Sequence, residues 1–208
     1  ACAKSIKYLF IVMLPIAVGT TLLSDHFIVL FFKDSFLASA NVLSILIWTL
    51  VPYTINITLA HTLIASNNQN INLRSLIISM MCNVTLNLLL IPRFSFLGAA
   101  MATLISICIF LSLQYGFISR NLFRLNFFQI AGKPVISAAL MGITVLLLRQ
   151  LSLFLIVPIA ALAYVLFLLT LRPFSPTDIQ LFRRFWEREK GLVILQSQRA
   201  GEHNPAKE

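Results

Sequence analysis

An all-α fold of about six membrane-spanning helices follows from three observations on the sequence. Hydrophobic residues make up 59% of the chain and charged residues 11%, where a soluble domain carries about 25% charged residues. No Asp or Glu occurs from Ser35 through Thr177. The apolar stretches are long enough to cross a hydrocarbon layer about 30 Å thick as helices, and too long for the strands of a buried sheet.

The net charge of +9 does not indicate nucleic acid. Lys and Arg are scattered over loops and the tail rather than grouped on one face, as flanks of membrane helices require. Of the three cysteines, Cys82 and Cys108 lie in apolar stretches and Cys2 lies near the start. No CxxC or Cys/His spacing occurs, so neither a disulfide framework nor a metal site is expected, and no cofactor. The opening ACAKSIKYLF reads as the middle of a longer protein, and the chain is expected to be a C-terminal fragment.

The first span is expected from about Tyr8 to Leu23, kinked at Pro15, whose freed carbonyl a neighbouring helix can satisfy. FIVLFFKDSF is too short to span and reads as a short interfacial helix or the end of the first span. The second span, about Val42 to Ala65, is the most polar, with Trp48, Pro52, Tyr53, Asn56, Thr58 and His61. The neutral turn from Ser66 to Asn70 follows, and Arg74 opens the next helix.

The chain is organised around a helical hairpin from Ile71 to Ser106, with an elbow at Pro92-Arg93-Phe94-Ser95. Neither arm carries a charge beyond Arg74 at its start. Asn83 and Asn87 are four apart and share a helix face. Gly98, Ala99, Ala100 and Ala102 offer a close-packing surface to the partner arm. The fourth helix ends near Ser119, before the basic loop with Arg120, Arg124 and Lys133. The fifth span is expected from about Pro134, placed in its first turn, to Leu148, with snorkelling Lys133 allowing a start near Ile130. The sixth runs from Leu151 to Leu171, with Pro158 inside.

Residues 1–172 are therefore expected to form the membrane bundle. Residues 173–195 read as an amphipathic surface helix with Leu181, Phe182, Phe185 and Trp186 on one face, and 196–208 as a disordered tail. With the N-terminus inside, the inner flanks hold Lys4, Lys7, Arg74, Arg120, Arg124, Lys133 and Arg172. The outer flanks hold Lys33, Arg93 and Arg149. Both ends are therefore expected in the cytoplasm.

Three stretches in this order carry a family resemblance: LFIVMLPIAVGTTLLS, then LIASNNQNINLR, then NVTLNLLLIPRFSFLGAAMATLIS. Together they resemble the C-terminal half of polysaccharide flippases of the Wzx type. Those flippases share a superfamily with the lipid II flippase and the multidrug and toxin extrusion transporters. The resemblance covers roughly Ile6 to Ser119. Its most specific part is the N-x-x-x-N-x-x-L-I-P element followed by G-A-A-x-A-T. Lys33-Asp34 departs from it, where the family often has a Gly.

The resemblance implies one bundle of a two-bundle, alternating-access transporter in the bacterial inner membrane, and not an enzyme. Its cargo would be an undecaprenyl-pyrophosphate-linked oligosaccharide for surface polysaccharide such as O-antigen or lipopolysaccharide. Its partners would be membrane lipids, the N-terminal bundle of the same protein and polysaccharide polymerase machinery. Candidate substrate-binding residues are Arg74, Asn83, Asn87 and Asn56. His61 is a candidate for ion coupling, and Pro15 and Pro52 are candidate hinges. Each has a plainer reading, respectively a topological anchor, inter-helix hydrogen bonding, a solvated His and ordinary membrane prolines. Competing classes are a multidrug or cation antiporter, which wants an intramembrane carboxylate, and a membrane-bound glycosyl- or acyltransferase, which wants converging acid and base groups.

Overall fold

The computed structural model describes residues 2–32, 34–122, 127–149 and 152–171, and these form an all-helical bundle. Helix α1 (Cys2–Leu22) passes almost directly into α2 (Ser24–Phe32), with Leu23 and Phe27 amides still bonding back to Gly19 and Leu23 carbonyls. Helix α3 (Ala38–Leu46) reaches α4 (Leu50–Ala65) through a tight 3-10 turn, Ile47–Thr49. Helices α5 (Gln69–Asn121), α6 (Phe127–Leu147) and α7 (Leu153–Thr170) follow. The expected amphipathic helix and tail, 173–208, lie outside the described residues, as do Lys33, Arg124 and Arg172.

Helix α5 is two helical arms that meet at Ser95, where the backbone leaves the helical range. Each half, 69–94 and 96–121, is about 39 Å long at ~1.5 Å per residue, enough to cross a bilayer. Counting these arms separately, the five apolar helical stretches among the described residues become six spans. Ser95 has φ 50° and ψ −130°, the geometry of the first central residue of a type II′ turn, a position that favours Gly. Pro92 stays within the helical run, so the chain reverses at Ser95, the last residue of the expected elbow.

The order of packing is α7, α6, α1, α4, α5, with α1 at the centre. Its buried residues Ile6, Phe10, Leu14 and Ala17 recur at three- and four-residue steps, a single helical stripe. Ile6, Phe10 and Leu14 join Ile55, Leu59 and Leu63 of α4, Met141 and Val145 of α6, and Ile156 and Leu168 of α7 in one apolar core. Gly19 and Gly142 sit where α1 crosses α6. A Cβ on Gly142 would meet Val18 Cγ1 at 3.2 Å, so the small residue sets how closely the helices approach.

The surface inverts the soluble pattern. Leu147 is 79% exposed, Phe154 77% and Leu88 73%, while Ser75, Ser79, Ser106, Gln114 and Ser137 are buried. Outward apolar and inward polar groups suit a hydrocarbon surround, where unpaired polar groups are costly.

Three boundaries differ from expectation. Helix α1 begins at Cys2 rather than Tyr8, because Lys4 and Lys7 can run their methylene stems along it and still belong to its first turns. The expected second span starts earlier, at Ala38, and runs through the 3-10 turn to Ala65 as one apolar stretch. Pro134 is not in the first turn of its helix: α6 starts at Phe127 and carries Pro134 inside it, so the missing amide does leave the Ile130 carbonyl without its helical partner.

Candidate functional site

The polar groups within the spans gather between the arms of α5 and against α4. Asn72, Ser75, Ser79, Asn83 and Asn87 recur every three or four residues on the first arm. Gly98, Ala102, Ser106 and Gln114 recur at multiples of four on the second. Ser79 Oγ donates to the Ser106 carbonyl at 2.6 Å, and Asn83 Nδ2 donates to Ser106 Oγ at 2.9 Å. Asn87 Nδ2 donates to the Asn83 carbonyl at 2.9 Å and to Asn83 Oδ1 at 3.0 Å. Nearer the chain-terminal end of the hairpin, Gln114 Nε2 donates to Asn72 Oδ1 at 2.7 Å. At the elbow end Gly98 lies against the Leu90 carbonyl, where a Cβ would collide with backbone. The arms are thus joined by a polar seam that close approach makes possible.

Asn56 extends this seam to α4. It is 3% exposed, and its Nδ2 donates to the Ile107 carbonyl at 3.2 Å. The buried Asn56 Oδ1 and Gln114 Oε1 find no partner among the described residues. In hydrocarbon such acceptors are expensive, and both sit where the second arm meets its neighbours.

The sequence-selected residues therefore separate into two groups. Asn56, Asn83 and Asn87 come together at helix contacts, with their amide N–H groups committed to inter-helix or intra-helix bonds. Arg74 and His61 are exposed near the end of the bundle that holds the 66–70 turn. There Asn67, at φ 58°, closes α4. Its amide bonds to Ile64 O and the Asn68 amide to Leu63 O, a Schellman cap with Asn in the left-handed position. That end also carries Lys4, Lys7, Arg120 and Lys133. The opposite end carries Arg93 and Arg149, and Arg149 Nη2 donates to Asp25 Oδ2 at 3.1 Å. Among the described residues no three His, Cys, Asp or Glu come together in a way that could hold a metal.

Pro15 lies mid-helix in α1. The Tyr164 hydroxyl of α7 donates to the Ile11 carbonyl at 2.7 Å, the acceptor that Pro15 leaves without an amide. Pro52 lies in the first turn of α4, just past the 3-10 turn. Sequence reasoning passed over Tyr164, Ser106 and Gln114. For the latter two the signal was present as the four-residue spacing from Gly98. For Tyr164 there was none, because the residue four before Pro15 does not say which of the other helices supplies the donor.

Comparison with known proteins places this arrangement. The chain is similar to the probable low-salt glycan biosynthesis flippase Agl15 of Haloferax volcanii, 28% identical over 107 residues, 51% of this chain and 23% of that protein. It thus spans about a quarter of the length of the curated relative it matches. No solved structure matches. The family model of the lipid II flippase MurJ matches residues 1–167, nearly all of the described bundle, from α1 into the last turn of α7. The chain belongs to the lipid II flippase MurJ family.

Proposed function

We propose that this chain is the C-terminal part of a flippase that carries a lipid-linked oligosaccharide across a membrane. The observation that carries this reading is the family match over residues 1–167, a family of transporters rather than catalysts. A charged head group at the bilayer centre costs at least ~2.5 kcal/mol on lenient scales, so such a cargo needs a polar route and cationic partners.

In this reading the cargo is an undecaprenyl-pyrophosphate-linked oligosaccharide for surface polysaccharide, as the Wzx-like motifs suggest. The end bearing Lys4, Lys7, Arg74, Arg120 and Lys133 faces the cytoplasm of a bacterial inner membrane, by the positive-inside rule, and meets the pyrophosphate first. Arg74 grips it, with Asn56, Asn83 and Asn87 along the route and His61 coupling ion movement. Pro15 and Pro52 bend as access alternates between this bundle and the N-terminal one, and polymerase machinery takes the product.

The test is reconstitution of the full-length protein in liposomes with a fluorescent lipid-linked oligosaccharide on the inner leaflet. Protein-dependent appearance of the head group outside supports the reading. Unchanged sidedness, with the protein shown to be folded, would overturn it.

A further inference from the structure

A notch of about 410 Å3 opens on the bundle between α1, α4 and the second arm of α5. Phe10 and Ile55, 8% and 3% exposed, form its floor. Trp48, Pro52, Cys108 and Leu111 line its sides. The notch lies beside the 3-10 turn Ile47–Thr49 and Pro52, where α4 begins. The polar Asn56, next in sequence to the floor residue Ile55, turns its amide to Ile107, so it does not offer that group to the notch.

We propose that this notch holds an acyl chain of a bilayer phospholipid as a resident part of the bundle. Trp48 through Ile55 lie in the middle of the Ala38–Ala65 stretch, and Leu104 through Leu111 in the middle of the second arm. The notch therefore sits at hydrocarbon depth, where the surrounding solvent is acyl chains. Its volume falls within the roughly 300–1,000 Å3 of small-ligand pockets. An empty apolar notch forfeits the dispersion contacts of its walls. A ligand present at bilayer concentration fills such a site even when it binds weakly. Water is excluded by the lining, which offers none of the polar partners an ordered water needs. Trp48, 37% exposed, and the exposed Cys108 stand at the mouth, where a chain enters. This inference rests on the membrane depth of the notch and not on the nature of the cargo.

The test uses the full-length protein with Trp48 as its sole tryptophan, in phosphatidylcholine bilayers whose chains carry bromine at mid-length. A resident chain quenches Trp48 fluorescence about twofold or more relative to unbrominated lipid, as a saturated contact should. Cys108→Phe and, separately, Leu111→Phe fill the notch and remove most of that quenching, with folding checked by thermal aggregation. Absence of quenching in the parent protein would mean that protein covers the notch, and would overturn the proposal. So would quenching that neither filling variant reduces, since Trp48 would then sense only passing lipid. Relief of quenching by a few mole per cent of unbrominated polyprenyl phosphate would assign the notch to an isoprenoid tail instead and overturn the acyl-chain assignment.

Discussion

The hydroxyl of Tyr164 takes the place of the amide that Pro15 lacks. It reaches the Ile11 carbonyl at 2.7 Å from a helix 153 residues further along the chain. The break in α1 is therefore held closed by α7, and the two helices are coupled at the point where α1 bends most easily.

Tyr164→Phe should destabilise the bundle by about 0.6–1.7 kcal/mol, the range of membrane hydrogen bonds. In a Pro15→Ala background, where the substituted alanine supplies an amide that can bond to the Ile11 carbonyl, the same change should cost markedly less. Steric-trapping unfolding of the four proteins of this cycle checks it. Equal costs in both backgrounds would dissociate Tyr164 from the proline.

Two glycines of the hairpin should respond oppositely. Gly98→Ala pushes a Cβ into the Leu90 carbonyl and must force the arms apart, at about 1–3 kcal/mol or more for overpacking. Gly116 has open space around a Cβ, so Gly116→Ala should be neutral or gain up to about 1 kcal/mol from helix propensity. Unfolding midpoints in bicelles measure both, and a tolerated Gly98→Ala would contradict the packing described for the elbow.

Ser95→Gly should stabilise the hairpin, because a side chain at φ 50° is strained by about 1–3 kcal/mol and glycine is not. The gain should appear as slower unfolding without loss of transport. A lower stability for the glycine variant would show that Ser95 is held by a contact outside this bundle.

Arg74 tests the proposed pyrophosphate grip. If its paired N–H donors hold phosphate, Arg74→Ala should abolish complementation of surface polysaccharide, and Arg74→Lys should restore it only in part. A topological anchor needs only charge, so full rescue by Lys would mark Arg74 as an anchor. Wild-type activity of Arg74→Ala at equal membrane level would remove it from the site.

Orientation is open to labelling. With Cys2, Cys82 and Cys108 replaced, a cysteine at Ser95 or Ser152 should react with an impermeant reagent from outside, and one at Asn70 or Asn121 should not. The reverse pattern would invert the proposed topology.

Sequence alone determined that this chain crosses a membrane several times and doubles back in a hairpin at the elbow Pro92-Arg93-Phe94-Ser95. Those features are local: apolar length, absence of acid, and a polar, proline-bearing interruption between two spans. The pairing of Asn83 and Asn87 on one face was equally legible, since helical periodicity fixes which residues share a side. Asn87 bonds back within its own helix to Asn83, but the partners of Asn83 and Asn56 were not legible, because Ser106 and Ile107 become their neighbours only when the second arm folds back and α4 packs beside it. The same holds for Tyr164 and Ile11, and for the notch beside Pro52. Hydropathy reports the solvent around a helix, whereas the identity of the helix that satisfies a freed carbonyl is set by packing. The misplaced start of α1 and the interior position of Pro134 have the same origin. Lysines bound the apolar run that hydropathy reads and prolines break helices in water, but within a bundle neighbouring helices and snorkelling stems let the helix run on.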